Sequence, residues 1–182
     1  MKQANVRMLA WFAAGIIVGL AALSPPQFVR ADARNPDEGR LRRLEDRQEI
    51  EELFAAYGTT LDRHDFDAFG RLFAEDAVFV GGPGEPVRGR TAIQSSLEKT
   101  LTSNPSHLPT PDFHLFFGPS IQVDGDHAVA QSKGAYVVPD TTNNGARIVF
   151  LVSYQDTLVR QAGHWLFARR EIHAGIPAPA AR

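Results

Sequence analysis

Tyr57-Gly-Thr-Thr-Leu-Asp62-Arg-His-Asp65-Phe-Asp67-Ala-Phe-Gly-Arg-Leu-Phe73-Ala-Glu-Asp76-Ala-Val-Phe79 holds the end of one helix, a capped second helix and the beginning of a strand. Behind it, Leu41, Leu44, Ile50, Leu53, Phe54, Tyr57 and Leu61 recur at steps of three and four, interrupted near Arg47, with charge on the opposite face. That is a helical period, and it predicts the longest helix of the chain, starting at Leu41. Asp65 stands where a side-chain oxygen can cap a shorter helix whose apolar stripe is Phe66, Phe69, Leu72 and Phe73. Ala77 to Val80 reads as a strand, and Gly81 to Gly84 as a loop, because glycine and proline break both regular structures. A third helix is expected from about Thr91 to Leu101, with Ile93 and Leu97 one turn apart.

Ahead of this stretch lies a different pattern. Phe113 to Val123, Asp126 to Val138, Ala146 to Val159 and His164 to His173 are strand-like, separated by the turn pairs Asp124-Gly125, Asn144-Gly145 and Ala162-Gly163. Strands joined so tightly are antiparallel, and helices followed by a meander give an α+β domain. Ile148 to Val152 is apolar on both parities, which predicts a central strand buried on both faces. Ala128, Ala130, Ser132 and Gly134 share a parity, so a row of small side chains faces one way. Such a row either admits a helix closely or leaves room for a ligand.

The first residues have another character. Lys2 and Arg7 precede an uninterrupted apolar run from Met8 to Leu23, and a polar stretch ends in Ala31-Asp32-Ala33. These are the parts of a secretory signal, with cleavage expected after Ala33 and a periplasmic or secreted product. The run is shorter than the ~20 residues of a comfortable membrane span. A retained N-terminal anchor is the alternative. The expected organisation is signal peptide 1–33, linker 34–40, domain 41–175 and a disordered Pro/Ala tail 176–182. Removing the leader takes three of the 19 basic residues and one of the 21 acidic ones, leaving 16 against 20. A mildly acidic domain without a basic stripe is not expected to bind nucleic acid or to keep a stable membrane association. Without cysteine, disulfides and thiolate metal sites are excluded. No helical His pair suggests any other metal site, and no glycine pattern a phosphate cradle.

The opening stretch, together with Gly89-Arg90-Thr91-Ala92-Ile93 and Gly163-His164-Trp165, resembles SnoaL-like domains of the nuclear-transport-factor-2-like superfamily over about residues 40 to 173. The resemblance implies a cone-shaped α+β barrel in which three N-terminal helices pack on a curved, mostly antiparallel sheet around a small-molecule pocket, in a chain that forms homo-oligomers. In site pattern it is similar to scytalone dehydratase and bile-acid 7α-dehydratase. Those enzymes carry an acid just after the first helix and a histidine on the strand after the third, where Asp62 and His114 stand here. The bile-acid enzyme adds a tyrosine five residues before the acid, an aspartate on the next strand and a C-terminal arginine, implying roles for Tyr57, Asp140 and, on a loose alignment, Arg170. Ketosteroid isomerase fits less well, because its base aspartate falls at Gly81.

Tyr57, Asp62, His114 and Asp140 are therefore the expected catalytic groups, and Phe54, Phe116, Tyr136 and Arg170 the expected substrate contacts. Dehydration needs a base for a C–H proton and an acid for the leaving hydroxyl, and a histidine oriented by a carboxylate can serve as both. For each residue a plain reading stands beside this one. Tyr57 lies on an apolar helix face and serves equally as core; Asp62 and Asp140 sit in turns; a lone strand histidine is usually structural. Tyr57 and Asp62 are about 140° apart on an ideal helix, so they share a pocket only if it wraps round the helix end. The expected function is a lyase using neither metal nor cofactor on a hydroxylated, mostly apolar cyclic compound. A non-catalytic exported ligand-binding or assembly domain, and a polyketide cyclase or isomerase, are the alternatives.

Overall fold

A computed structural model of the chain describes residues 36–81 and 85–175. The expected signal segment and C-terminal tail lie outside these residues, as do Gly82 to Gly84. Helix α1 spans Pro36–Asp62, so residues 36–40, expected as linker, belong to the helix. Proline at the first helical position loses no hydrogen bond, and Asp37 and Glu38 in the first turn complement the helix dipole. Ile50, Leu53, Phe54, Tyr57 and Leu61 are buried as the periodicity predicts, whereas Leu41 and Leu44 are 56% and 57% exposed. The apolar period thus runs one stretch further than the core that receives it. Around that outer half, Asp46 is buried, accepts a hydrogen bond from Trp165 Nε1 at 3.4 Å and pairs with Arg160.

Helix α2 (Phe66–Arg71) is capped by Asp65, whose carboxylate accepts from the Ala68 N–H at 2.9 Å. Strand β1 (Phe73–Val80) follows at once, and a two-residue strand β2 (Val87–Arg88), not anticipated from sequence, pairs back on it antiparallel. Gly89, at φ 89°, then turns the chain into α3 (Arg90–Ser103), a backbone conformation that side chains resist. The meander is β3 (Phe113–Asp124), β4 (His127–Asp140), β5 (Gly145–Gln161) and β6 (His164–Ala174). All four strands lie within two residues of their expected bounds at either end.

The six strands form one sheet in the order β2-β1-β6-β5-β4-β3, antiparallel except that β1 runs parallel to β6. β3 is an edge strand, and its register shifts between Phe117 and Ser120, where Pro119 cannot donate to the ladder. On β4 the even residues from 128 to 136 face the helices and the odd residues from 127 to 133 face solvent. The small residues are filled over from within: Ala128 and Ala130 join the core, and a Cβ on Gly134 would stand 2.9 Å from the Tyr154 ring. At Gly134 the space is taken by a side chain of the neighbouring strand, and Ala128 and Ala130 pack in the core shared with α1, so the row leaves no room for a ligand. The reading of Ile148 to Val152 needs correction too. β5 is internal in the sheet, yet Ile148 is 57% exposed and Phe150 37%: Ile148 stands in line with Val137 and Phe113 on the uncovered face, and Phe150 borders an open hollow beside α3.

Candidate functional site

The end of α1 meets β3 at one point. Asp62, the last helical residue, accepts two hydrogen bonds on the same oxygen, Oδ1: from the backbone N–H of His114 at 2.9 Å and from its ring Nδ1 at 2.8 Å. Strand alternation decides this contact, turning His114 and Phe116 inward while Phe113, Leu115 and Phe117 remain about half exposed. A carboxylate can only accept, so the neutral imidazole carries its proton on Nδ1 and leaves Nε2 as the lone-pair nitrogen. Both side chains are largely covered, His114 at 15% and Asp62 at 22% exposure.

His114 and Tyr57 line a cavity of 580 Å³ between α1, α3 and the sheet, walled by Leu61, Phe79, Leu97, Phe150, Val152 and Ile172. Tyr154 joins them on the same wall. Among the described residues the Tyr57 and Tyr154 hydroxyls have no hydrogen-bond partner, and they border the cavity without being sealed from it. Burial pushes both phenols up, against the nearby Arg170 charge, so each remains a protonated donor. Asp62 does not line this cavity. It borders a separate cleft between α1 and β3, with the imidazole standing between the two spaces. The angular gap between Tyr57 and Asp62 is thereby bridged: the tyrosine faces the cavity, and the aspartate reaches it only through His114.

Five of the expected site residues are placed elsewhere. Asp140 begins the β4–β5 turn, where its exposed carboxylate accepts from Thr142 N at 2.9 Å and Oγ1 at 2.7 Å. Those two bonds hold it below the usual carboxylate range, and it is a turn residue. Arg170 has no exposed surface. Its guanidinium lies 3.9 Å from the Tyr57 ring centre and 4.2 Å from that of Tyr154, inside a cage completed by Phe54, Phe116 and Phe167. Phe54 and Phe116 therefore wall the arginine and the outer cleft rather than the cavity. Tyr136 supports the histidine from the side: its ring centre is 4.8 Å from that of His114, and its hydroxyl donates to Asp112 at 2.9 Å.

Beneath the tyrosines lies a buried ion pair, Arg170 Nε to Asp156 Oδ1 at 3.4 Å. Burial lifts the Asp156 carboxyl to about 6, and the arginine pulls the other way. Neither Tyr154 nor Asp156 was anticipated. The available signal was that both share the inward parity of Leu158, but the apolar run just before them hid that parity. Among the described residues, no group of three or more His, Asp or Glu side chains could hold a metal ion.

Residues 42–171 match the SnoaL-like domain family. The chain belongs to that family. No curated protein matches this SnoaL-like chain, but solved structures do. A nuclear-transport-factor-2-like protein with a cystatin-like fold from Novosphingobium aromaticivorans is 26% identical, with TM-score 0.67 over 82% of this chain and 95% of its own. A Mycobacterium tuberculosis protein of unknown function is 25% identical, with TM-score 0.61, covering 78% of this chain and 77% of that one. A third, from N. aromaticivorans and proposed to be a scytalone dehydratase, is 23% identical with TM-score 0.63, covering 77% and 91%. At that identity the likeness is one of fold. The SnoaL-like domain accordingly has the cone architecture of its superfamily, whose members are enzymes or bind small molecules.

Proposed function

We propose that this SnoaL-like protein is an acid/base lyase that dehydrates a small, hydroxylated, mostly apolar cyclic compound using only its own side chains. The observation that supports this most directly is the His114 imidazole lining the apolar cavity with Nδ1 held by Asp62 at 2.8 Å. In this reading Nε2 removes the proton from a carbon next to an activated one. Charge gathers on the substrate's oxygen, where the Tyr57 hydroxyl donates to it. The imidazolium, supported by Asp62, then gives the proton to the departing hydroxyl, so that water leaves and a C=C bond forms. Few polar groups among many apolar ones suit a ring system with one oxygenated end.

The test begins with mass spectrometry of compounds that co-purify with the protein, followed by turnover of those compounds. His114→Ala is expected to lower turnover by roughly 10²–10⁴-fold with little change in melting temperature. Undiminished turnover removes the assignment. A compound that binds equally well to both proteins and is never converted supports the non-catalytic ligand-binding domain. We further propose that residues 1–33 export the protein to the periplasm or beyond, which fractionation of cells expressing the whole chain would test.

A further inference from the structure

We propose that Gly58 is a positioning residue, whose missing side chain lets α1 close on β3 and seats Asp62 against His114. The inference rests on the reading of these two residues as the working pair. Glycine weakens a helix interior relative to alanine, so its place within α1 calls for a local reason. A Cβ built on Gly58 would stand 2.9 Å from the backbone oxygen of His114 and 3.2 and 3.3 Å from two Phe116 ring carbons. Those atoms have little freedom to retreat. The oxygen belongs to a strand paired with β4 through His114↔Tyr136 and Phe116↔Gly134. The Phe116 ring is wedged against Tyr57 and Tyr154, with centres 5.5 and 5.2 Å away. On the far side, a Cβ on Gly134 would stand 3.0 Å from the Leu115 oxygen, so β4 offers β3 no slack either.

Asp62 lies one turn beyond Gly58, on the same helix face. Whatever lifts the helix off β3 at residue 58 therefore lifts the carboxylate away from the histidine. A retreat of about half an ångström takes both bonds past the roughly 2.7–3.2 Å range in which they are well made.

The experiment is nuclear magnetic resonance of ¹⁵N-labelled protein, which needs no substrate. Wild type should show a protonated Nδ1 on His114 with a low-field proton signal, and a His114 amide protected from exchange. Gly58→Ala should keep its circular dichroism, lose the Nδ1–H signal, and exchange the His114 amide roughly tenfold faster or more. Adding Asp62→Glu to Gly58→Ala, which lengthens the acid by one methylene, should bring the signal back. If Gly58→Ala does not fold, the pair Gly58→Ala with Phe116→Leu, which removes the ring contact and leaves the carbonyl contact, is read in the same way. A wild type without the signal, a Gly58→Ala protein that keeps it, or failure of both variants to fold overturns the proposal. Loss of the signal with turnover unchanged would sustain the role of Gly58 and remove the lyase reading instead.

Discussion

At the scale of single residues, the Tyr57 hydroxyl separates a structural from a functional role. The residue is buried but its hydroxyl borders the cavity, and no described residue bonds it, so no hydrogen bond among the described residues depends on it. Tyr57→Phe should leave the melting temperature unchanged or slightly raised, and should lower turnover by roughly 10²–10³-fold, as loss of one donor to a developing oxyanion does. A large loss of stability would make Tyr57 a core residue first. Asp156 supports a second prediction. Its folded-state carboxyl titrates at about 6, above its unfolded value, so the folded state holds the proton longer. The associated stability is present below about pH 4 and is lost as pH rises to about 6. Relative to Asp156→Asn, wild type should therefore lose on the order of 3 kcal/mol across that interval, read from urea midpoints. The placement of His114 could be read from strand parity, and that of Asp62 from its position at a helix end. Arg170 and Asp140 could not be placed in this way. Nothing in the spacing of residues tells an arginine caged by five rings from one facing a ligand, and Asp140 sits in an Asp-Thr-Thr-Asn run whose local hydrogen bonds outcompete a longer reach.

The elements themselves were legible where a period met a breaker. Asp65 capped its helix, and the turn pairs marked where β3 ends, where β5 begins and where β5 gives way to β6. What periodicity could not supply was extent. α1 begins at Pro36 and carries Leu41 and Leu44 into solvent, because a helical repeat records which face is apolar and not how far the partner surface reaches. Polar contacts anchor that outer half: Asp46 with Arg160 and the Trp165 indole, and Arg47 Nη1 donating to the Ile121 carbonyl at 3.2 Å. Asp46→Ala leaves the largely buried Arg160 without its closest partner, and should cost roughly 3 kcal/mol in urea denaturation. The helix signal should fall before the sheet melts. A cost under about 0.5 kcal/mol, the scale of a surface substitution, would show that α1 is held by its inner face alone.

For the whole molecule, the α+β class followed from helices preceding a meander, and the two-residue β2 was too short to leave any pattern. The outer sheet face bears Phe113, Leu115, Phe117 and Ile148, each close to half exposed or more. An apolar patch on that face is expected to be covered by a second copy of the chain. Leu115→Glu with Phe117→Lys should shift the mass measured by light scattering from oligomer to monomer, and a wild type already monomeric would contradict this. The parallel pairing of β1 with β6 has a different consequence. Phe79 lies beside Arg170, and Phe73 beside Phe167, across nearly the whole length of the domain. A nascent chain cannot give its first strand this neighbour until its last one has been synthesised. The early helices must wait with their oily sides uncovered, and a stop codon before residue 164 would yield a fragment fit for proteolysis or clumping rather than a smaller working protein.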